Sequence, residues 1–261
     1  MRALAGSLAR LLALALNGHR QAVRDKVLYV LAGFGALLIL GSIVVSQLTV
    51  GERARIVMDL GLSANALLSG LTAVFVSINQ LAREIERRTI DTILAKPVAR
   101  WEFVVGRFLG LGLTLALLVG VMGGLHATVL VAVDAWDPAM LAALWLTWIE
   151  ALLIAAIALF LSSFATTIPS MFVTLALVLI GHSSWGLVLL AKSLESPLAQ
   201  WLLRVAYVAL PNLEMLNVRG QVVWDVDIPW NYVAHASAYG LLYAGTLLLL
   251  SSAALARRDL A

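Results

Sequence analysis

Charged residues are scarce in this chain, and where they gather they set the chemistry open to it. The densest group runs Glu84-Ile-Glu-Arg-Arg-Thr-Ile-Asp-Thr-Ile-Leu-Ala-Lys-Pro-Val-Ala-Arg100 and continues to Glu102 and Arg107. Ile85, Thr89, Ile93 and the adjoining Leu94 follow helical spacing and make an apolar stripe, while Glu84, Glu86, Arg87, Arg88 and Asp91 supply charge of both signs. Pro97 then stops the helix, because it has no amide hydrogen and restricts Lys96 before it. A short amphipathic helix of this kind can dock onto a soluble partner; a charged loop that only fixes topology fits the composition equally well.

A second candidate is Glu150, a lone carboxylate inside an apolar run. A carboxylate inside a membrane is costly and marks a candidate site with a partner to be found. His182 and His126 fall at comparable depth in neighbouring apolar runs, so a contact between Glu150 and a histidine is geometrically open. A structural hydrogen bond between helices explains Glu150 better than a substrate or proton site. Other chemistries are excluded. The chain has no cysteine and only four scattered histidines, which removes disulfides, thiolate nucleophiles and close metal-ligand pairs. Its three lysines, Lys26, Lys96 and Lys192, follow Asp25, Ala95 and Ala191, so the Gly-Lys-Ser/Thr of a phosphate-binding loop is missing.

The elements that must position these residues are membrane spans. Of 261 residues 62% are hydrophobic and 13% charged, with a mean hydropathy of +0.96; soluble domains have about 45–50% apolar and about 25% charged residues. Apolar runs at about 27–49, 60–82, 103–132, 141–163, 169–191 and 231–256 have the length needed to cross a hydrocarbon core of roughly 30 Å. The sequence therefore predicts an all-α polytopic membrane protein with six transmembrane helices in a single transmembrane domain over residues 1–261. Thirteen of the 18 basic residues lie in the N-terminal segment, the loop after the second span and the tail, which makes both termini and that loop cytoplasmic, as in a bacterial inner membrane. The same placement accounts for the net charge of +3 and the pI near 9.5 without nucleic acid.

Residues 1–26 are too short and too interrupted to span. They read better as an amphipathic helix in the cytoplasmic interface, arginines towards the headgroups, than as a signal peptide. On the outer side, Ser196 can cap a helix with Pro197 at its first position. Residues 197–230 are expected to hold an interfacial or re-entrant helix, or a loop resting on the membrane, with Trp201, Tyr207, Trp224, Trp230 and Tyr232 at headgroup level. Gly106-x-x-x-Gly110 and Gly120-x-x-x-Gly124 allow close helix approach, within the chain more readily than between subunits. Arg53, Arg55 and Asp59 are open to an external accessory protein, although solvated loop charge explains them.

Three segments resemble the ABC-2 type permeases, the membrane subunits of ABC exporters, particularly the branch associated with multicopper-enzyme maturation. They are Arg20-Gln-Ala-Val-Arg-Asp-Lys-Val-Leu-Tyr-Val-Leu31, the Glu84–Gly110 stretch with its Glu86-Arg-Arg-Thr89 and Lys96-Pro-Val-Ala-Arg100 core, and Ala209-Leu-Pro-Asn-Leu-Glu214. Ser162-Ser-Phe164 and Arg257-Arg-Asp-Leu260 support them. The sequence departs from the family at Gly18-His19, where Thr-Phe is usual, and at Arg107, where Lys is common. The resemblance implies a connecting helix at the N-terminus, a coupling helix over 84–95 seated in an ATPase subunit, and outer helices over 197–230 at the exit gate. It also implies two ATPase subunits, which bind the ATP and Mg, and a second permease copy, identical or not; this chain would be a non-catalytic subunit holding no cofactor of its own. Glu84, Glu86, Arg87, Arg88, Asp91, Lys96 and Arg100 are the expected coupling residues. A lipid-linked glycan exporter, a proton-coupled carrier using Glu150 and a membrane scaffold are the competing readings.

Overall fold

A computed structural model of the protein describes residues 2–47, 52–86, 100–184 and 196–257, with isolated positions 186, 190 and 193. Among the described residues every regular element is helical. The helices are α1 (Arg2–Val23), α2 (Lys26–Gln47), α3 (Arg53–Glu86), α4 (Arg100–Ala132), α5 (Ala139–Ser162), α6 (Thr167–His182), α7 (Pro197–Ala209), a 3-10 turn (Leu213–Leu216), α8 (Arg219–Val223) and α9 (Trp230–Arg257). Five of them, α2, α3, α4, α5 and α9, are long and apolar enough to cross a membrane. Within the expected span at 169–191 lies α6, whose 16 residues alone fall short of the roughly 20 a crossing needs; the described positions 184, 186 and 190 beyond it are also helical.

The bundle is organised around α5. A helix that is apolar on every side belongs in the interior, and α5 packs against α3, α4, α6 and α9. Its stretch from Ala151 to Ala158 is buried throughout. By contrast, α2 buries only a narrow line, Leu28, Gly35, Ile39, Ser42 and Ser46, while Tyr29, Val30, Leu37 and Val44 face outwards. That apolar outer face suits hydrocarbon rather than water.

The helices α3 and α4 run antiparallel, with Val57 beside His126 and Asn65 beside Val119. At 34 and 33 residues they are about 50 Å long at 1.5 Å per residue, well beyond the apolar core. Their extra length at the 86–100 end is braced by α1. Paired contacts of Ser7 with Glu102, Leu14 with Gly106 and His19 with Thr114 advance together, so α1 runs alongside α4 in the same sense. Arg10 stays exposed along its side chain yet grips Glu102 through two nitrogens, at 3.1 and 2.9 Å. The hydrogen bond to Glu102 raises the Arg10 guanidinium above its already high pKa, so the grip stays charged. Buried Arg107 reaches Gln21 at 3.1 Å, and Gln80 donates to the Gly18 carbonyl at 3.0 Å.

Residues 209–223 insert into the bundle rather than lying over it. Leu213, Leu216, Val218 and Val222 are all buried. The segment is held by tyrosines of α9: Tyr239 Oη accepts from Asn212 N at 2.8 Å, Tyr243 donates to the Ala209 carbonyl at 2.8 Å, and Tyr232 donates to the Met215 carbonyl at 2.9 Å. Tyr239 and Tyr243 lie nine and thirteen residues along α9 from Trp230, about 14 and 20 Å at 1.5 Å per residue. Gly181 makes room for this insertion, since a Cβ there would sit 2.7 Å from the Pro211 carbonyl oxygen.

Candidate functional site

Where α6 stops and the 209–223 segment enters, three ionisable side chains from distant parts of the chain come together. Glu150 is the only acidic residue of α5 and is 4% exposed. An unpaired carboxylate buried in apolar surroundings would be neutralised or strongly destabilising. Its partner is His182, the last residue of α6, with Nε2 3.0 Å from Glu150 Oε1.

The other ring nitrogen decides the proton count. His182 Nδ1 lies 3.0 Å from the Val178 carbonyl oxygen, which only accepts, so Nδ1 carries a hydrogen. Nε2 then either donates to a carboxylate, giving imidazolium and Glu150 anion, or accepts from a protonated Glu150. The pair is neutral overall in both arrangements. The third group, Arg219, opens α8. Its Nε donates to Asn217 Oδ1 at 2.7 Å, and among the described residues no carboxylate pairs with it. It lies close enough to act electrostatically on His182.

These three groups line one end of a cavity of about 230 Å³. The remaining wall is apolar: Ala66, Leu67, Gly70, Leu71 and Val74 of α3, Ile154 of α5, and Leu175, Val178 and Leu179 of α6. Leu67 and Leu179 at its margin are 56% and 70% exposed, so the cavity opens sideways between α3 and α6. The arrangement can hold an apolar chain and meet a polar head. It has no nucleophile set against a base, and no group of three or more ligand-type side chains able to hold a metal occurs among the described residues.

The structure joins Glu150 to His182 but leaves His126 out. His126 is fully buried on α4, with Nε2 3.1 Å from the Val57 carbonyl oxygen and its ring covering Gly61. Sequence reasoning missed Arg219 altogether, because a single arginine in an outer segment has no local signal that its segment folds inwards. Of the charged group at 84–100, Glu84 and Glu86 fall in the last turn of α3 and Arg100 begins α4. Arg87, Arg88, Asp91 and Lys96 lie outside the described residues. Arg55 binds both carboxylate oxygens of Glu52 and stacks over Trp224 at 4.8 Å.

The identity of this bundle rests on the chain's overall pattern. The model of a family described as ABC-2 family transporter protein matches residues 12–216. The chain belongs to the ABC-2 transporter family. It is accordingly a multi-pass membrane permease component of an ABC transporter, with an ABC ATPase subunit as partner. The match begins within α1 and ends with the 3-10 turn, so it takes in the braced α3–α4 pair and the Glu150–His182 contact. A search of curated proteins returns no match.

Proposed function

We propose that this ABC-2 permease is the non-catalytic membrane subunit of an exporter, working with two ATPase subunits and a second permease copy in a bacterial cytoplasmic membrane. The observation that carries this reading is the family match over most of the chain. In it, the 84–95 coupling segment, which takes in the last turn of α3 and the start of the connection to α4, meets the ATPase on the cytoplasmic side. ATP and Mg bind the partner. Closure of the ATPase pair on ATP favours one of two arrangements of the permease, by the difference in binding energy between them.

The long α3 and α4 suit the part of levers. Each continues beyond the apolar core towards the loop, and α1 ties the α4 end through Glu102, Gly106 and Gly110. Charges of both signs at Glu84, Glu86, Arg87, Arg88, Asp91, Lys96 and Arg100 would set register and partner choice. The test is charge reversal. Glu86→Lys and Arg88→Glu are expected to leave the permease folded and in the membrane, while substrate-stimulated ATPase activity of the assembled complex falls towards the unstimulated rate. Normal stimulation in both variants would remove the 84–95 segment from the coupling role.

A further inference from the structure

The cavity between α3 and α6 has a charge balance that selects its occupant. Glu150 and His182 cancel each other whichever holds the shared proton, so among the described residues that line the cavity the charge left at the polar end is the Arg219 guanidinium. Among the described residues its hydrogen bonds run from its backbone N and Nε to Asn217 Oδ1, and its two terminal nitrogens have no partner. A guanidinium with both terminal nitrogens free matches a carboxylate or phosphate in a two-pronged geometry. Beyond this end the wall is aliphatic, and the opening between exposed Leu67 and Leu179 faces sideways, where apolar helix surfaces meet lipid.

We propose that this cavity binds an amphiphile with an anionic head and an aliphatic chain, the head on Arg219 and the chain along Ala66, Gly70 and Val74 of α3. That it serves as cargo rests on the permease reading; that it binds does not. The anionic head could belong to a single-chain acid or to a two-chain membrane lipid. A cationic amphiphile would have to displace His182 from Glu150 and sit beside Arg219. A neutral one would leave the guanidinium unpaired.

The test uses the full chain in phosphatidylcholine nanodiscs with radiolabelled dodecanoate, dodecylamine and dodecanol, three probes of one chain length and different heads. Dodecanoate is expected to bind saturably, and the other two only to partition. Arg219→Gln should weaken dodecanoate about tenfold, the order of one charge-assisted hydrogen bond, and Arg219→Lys should weaken it less. Gly70→Leu fills the apolar end: a Cβ at Gly70 meets only Ile154 Cδ1, at 3.4 Å, so the variant should fold and lose binding. It also carries the test if Arg219→Gln fails to fold. Adding phosphatidylglycerol to the nanodiscs separates the sources: competition with dodecanoate assigns the site to a membrane lipid, and no competition assigns it to a single-chain acid. Equal retention of all three probes, tighter dodecylamine binding, or undiminished dodecanoate binding in folded Arg219→Gln or Gly70→Leu overturns the proposal. Loss of ATPase co-purification with dodecanoate binding intact would overturn the permease role and leave the site standing.

Discussion

Glu150 exchanges hydration for one hydrogen bond, and the energetics of that exchange are asymmetric. Taking away one member of a buried pair strands the other, typically at about 3–5 kcal/mol, whereas replacing both with apolar groups is often neutral or better. His182→Leu is therefore expected to lower the unfolding temperature of the purified permease clearly. Glu150→Gln, which keeps an oxygen to accept from Nε2, should cost about 1 kcal/mol. The double variant Glu150→Leu/His182→Leu should recover most of what His182→Leu loses. A double variant as unstable as the single one would mean that another contact, such as Nδ1 with the Val178 carbonyl, holds α6 in place. Depth counted along the spans made Glu150, His182 and His126 legible as neighbours. It could not choose between the histidines, because choice depends on how each helix is rotated, and His126 is turned towards Val57. Arg219 was illegible for a different reason: it reaches the site only because Pro211 fits against Gly181, a fit that no window of sequence displays.

At the scale of elements, the best-defined junction is α1 on α4. Gly106 lies under Leu14, and Gly110 lies so close to α1 that a Cβ would come 2.5 Å from the Ala15 carbonyl oxygen. A backbone oxygen in a helix cannot swing aside as a flexible side-chain end can. Gly110→Ala should therefore push α1 off its seat, at about 1–3 kcal/mol as for other overpacked contacts. Gly120→Ala, with nothing within 4 Å of its Cβ, should leave the junction intact. The chain has no native cysteine, so His19→Cys paired with Thr114→Cys, in place of side chains that meet at 2.9 Å, reports the junction directly. Crosslinking is expected to survive Gly120→Ala and to be largely lost in Gly110→Ala. Equal crosslinking in both would show that α1 is held by its polar contacts, Arg10 with Glu102, Gln21 with Arg107 and Gly18 with Gln80, rather than by the close fit at Gly110. The two Gly-x-x-x-Gly motifs were equivalent in sequence; the structure separates them because α1 follows the first and stops before the second. Amphipathicity made α1 legible as a helix with one apolar face, yet periodicity names a face and never the surface it meets.

For the whole molecule the informative quantity is chain direction. Between α5 and α9 the contacts Trp145 with Ser237, Ile149 with Gly240, and Ser163 with Ser251 advance together. The two helices thus run the same way. A chain that leaves α5 at the 86–100 end and enters α9 at the 132–139 end must return across the bundle in between. The 16 residues of α6 are too few to make that return alone. By the positive-inside rule, the basic residues collected at the 86–100 end predict that this end faces the cytoplasm. The expected outcome is six crossings with both termini on the cytoplasmic side. Single cysteines at Leu12, at Glu52 and appended to the C-terminus, challenged with a membrane-impermeant maleimide, check it. Leu12→Cys and the C-terminal cysteine should label only in inside-out vesicles, and Glu52→Cys only in right-side-out vesicles or intact spheroplasts. Labelling of Leu12→Cys and the C-terminus from opposite faces would mean that α6 enters the membrane and leaves on the same side. The cavity beside His182 would then belong to a re-entrant helix rather than to a crossing path.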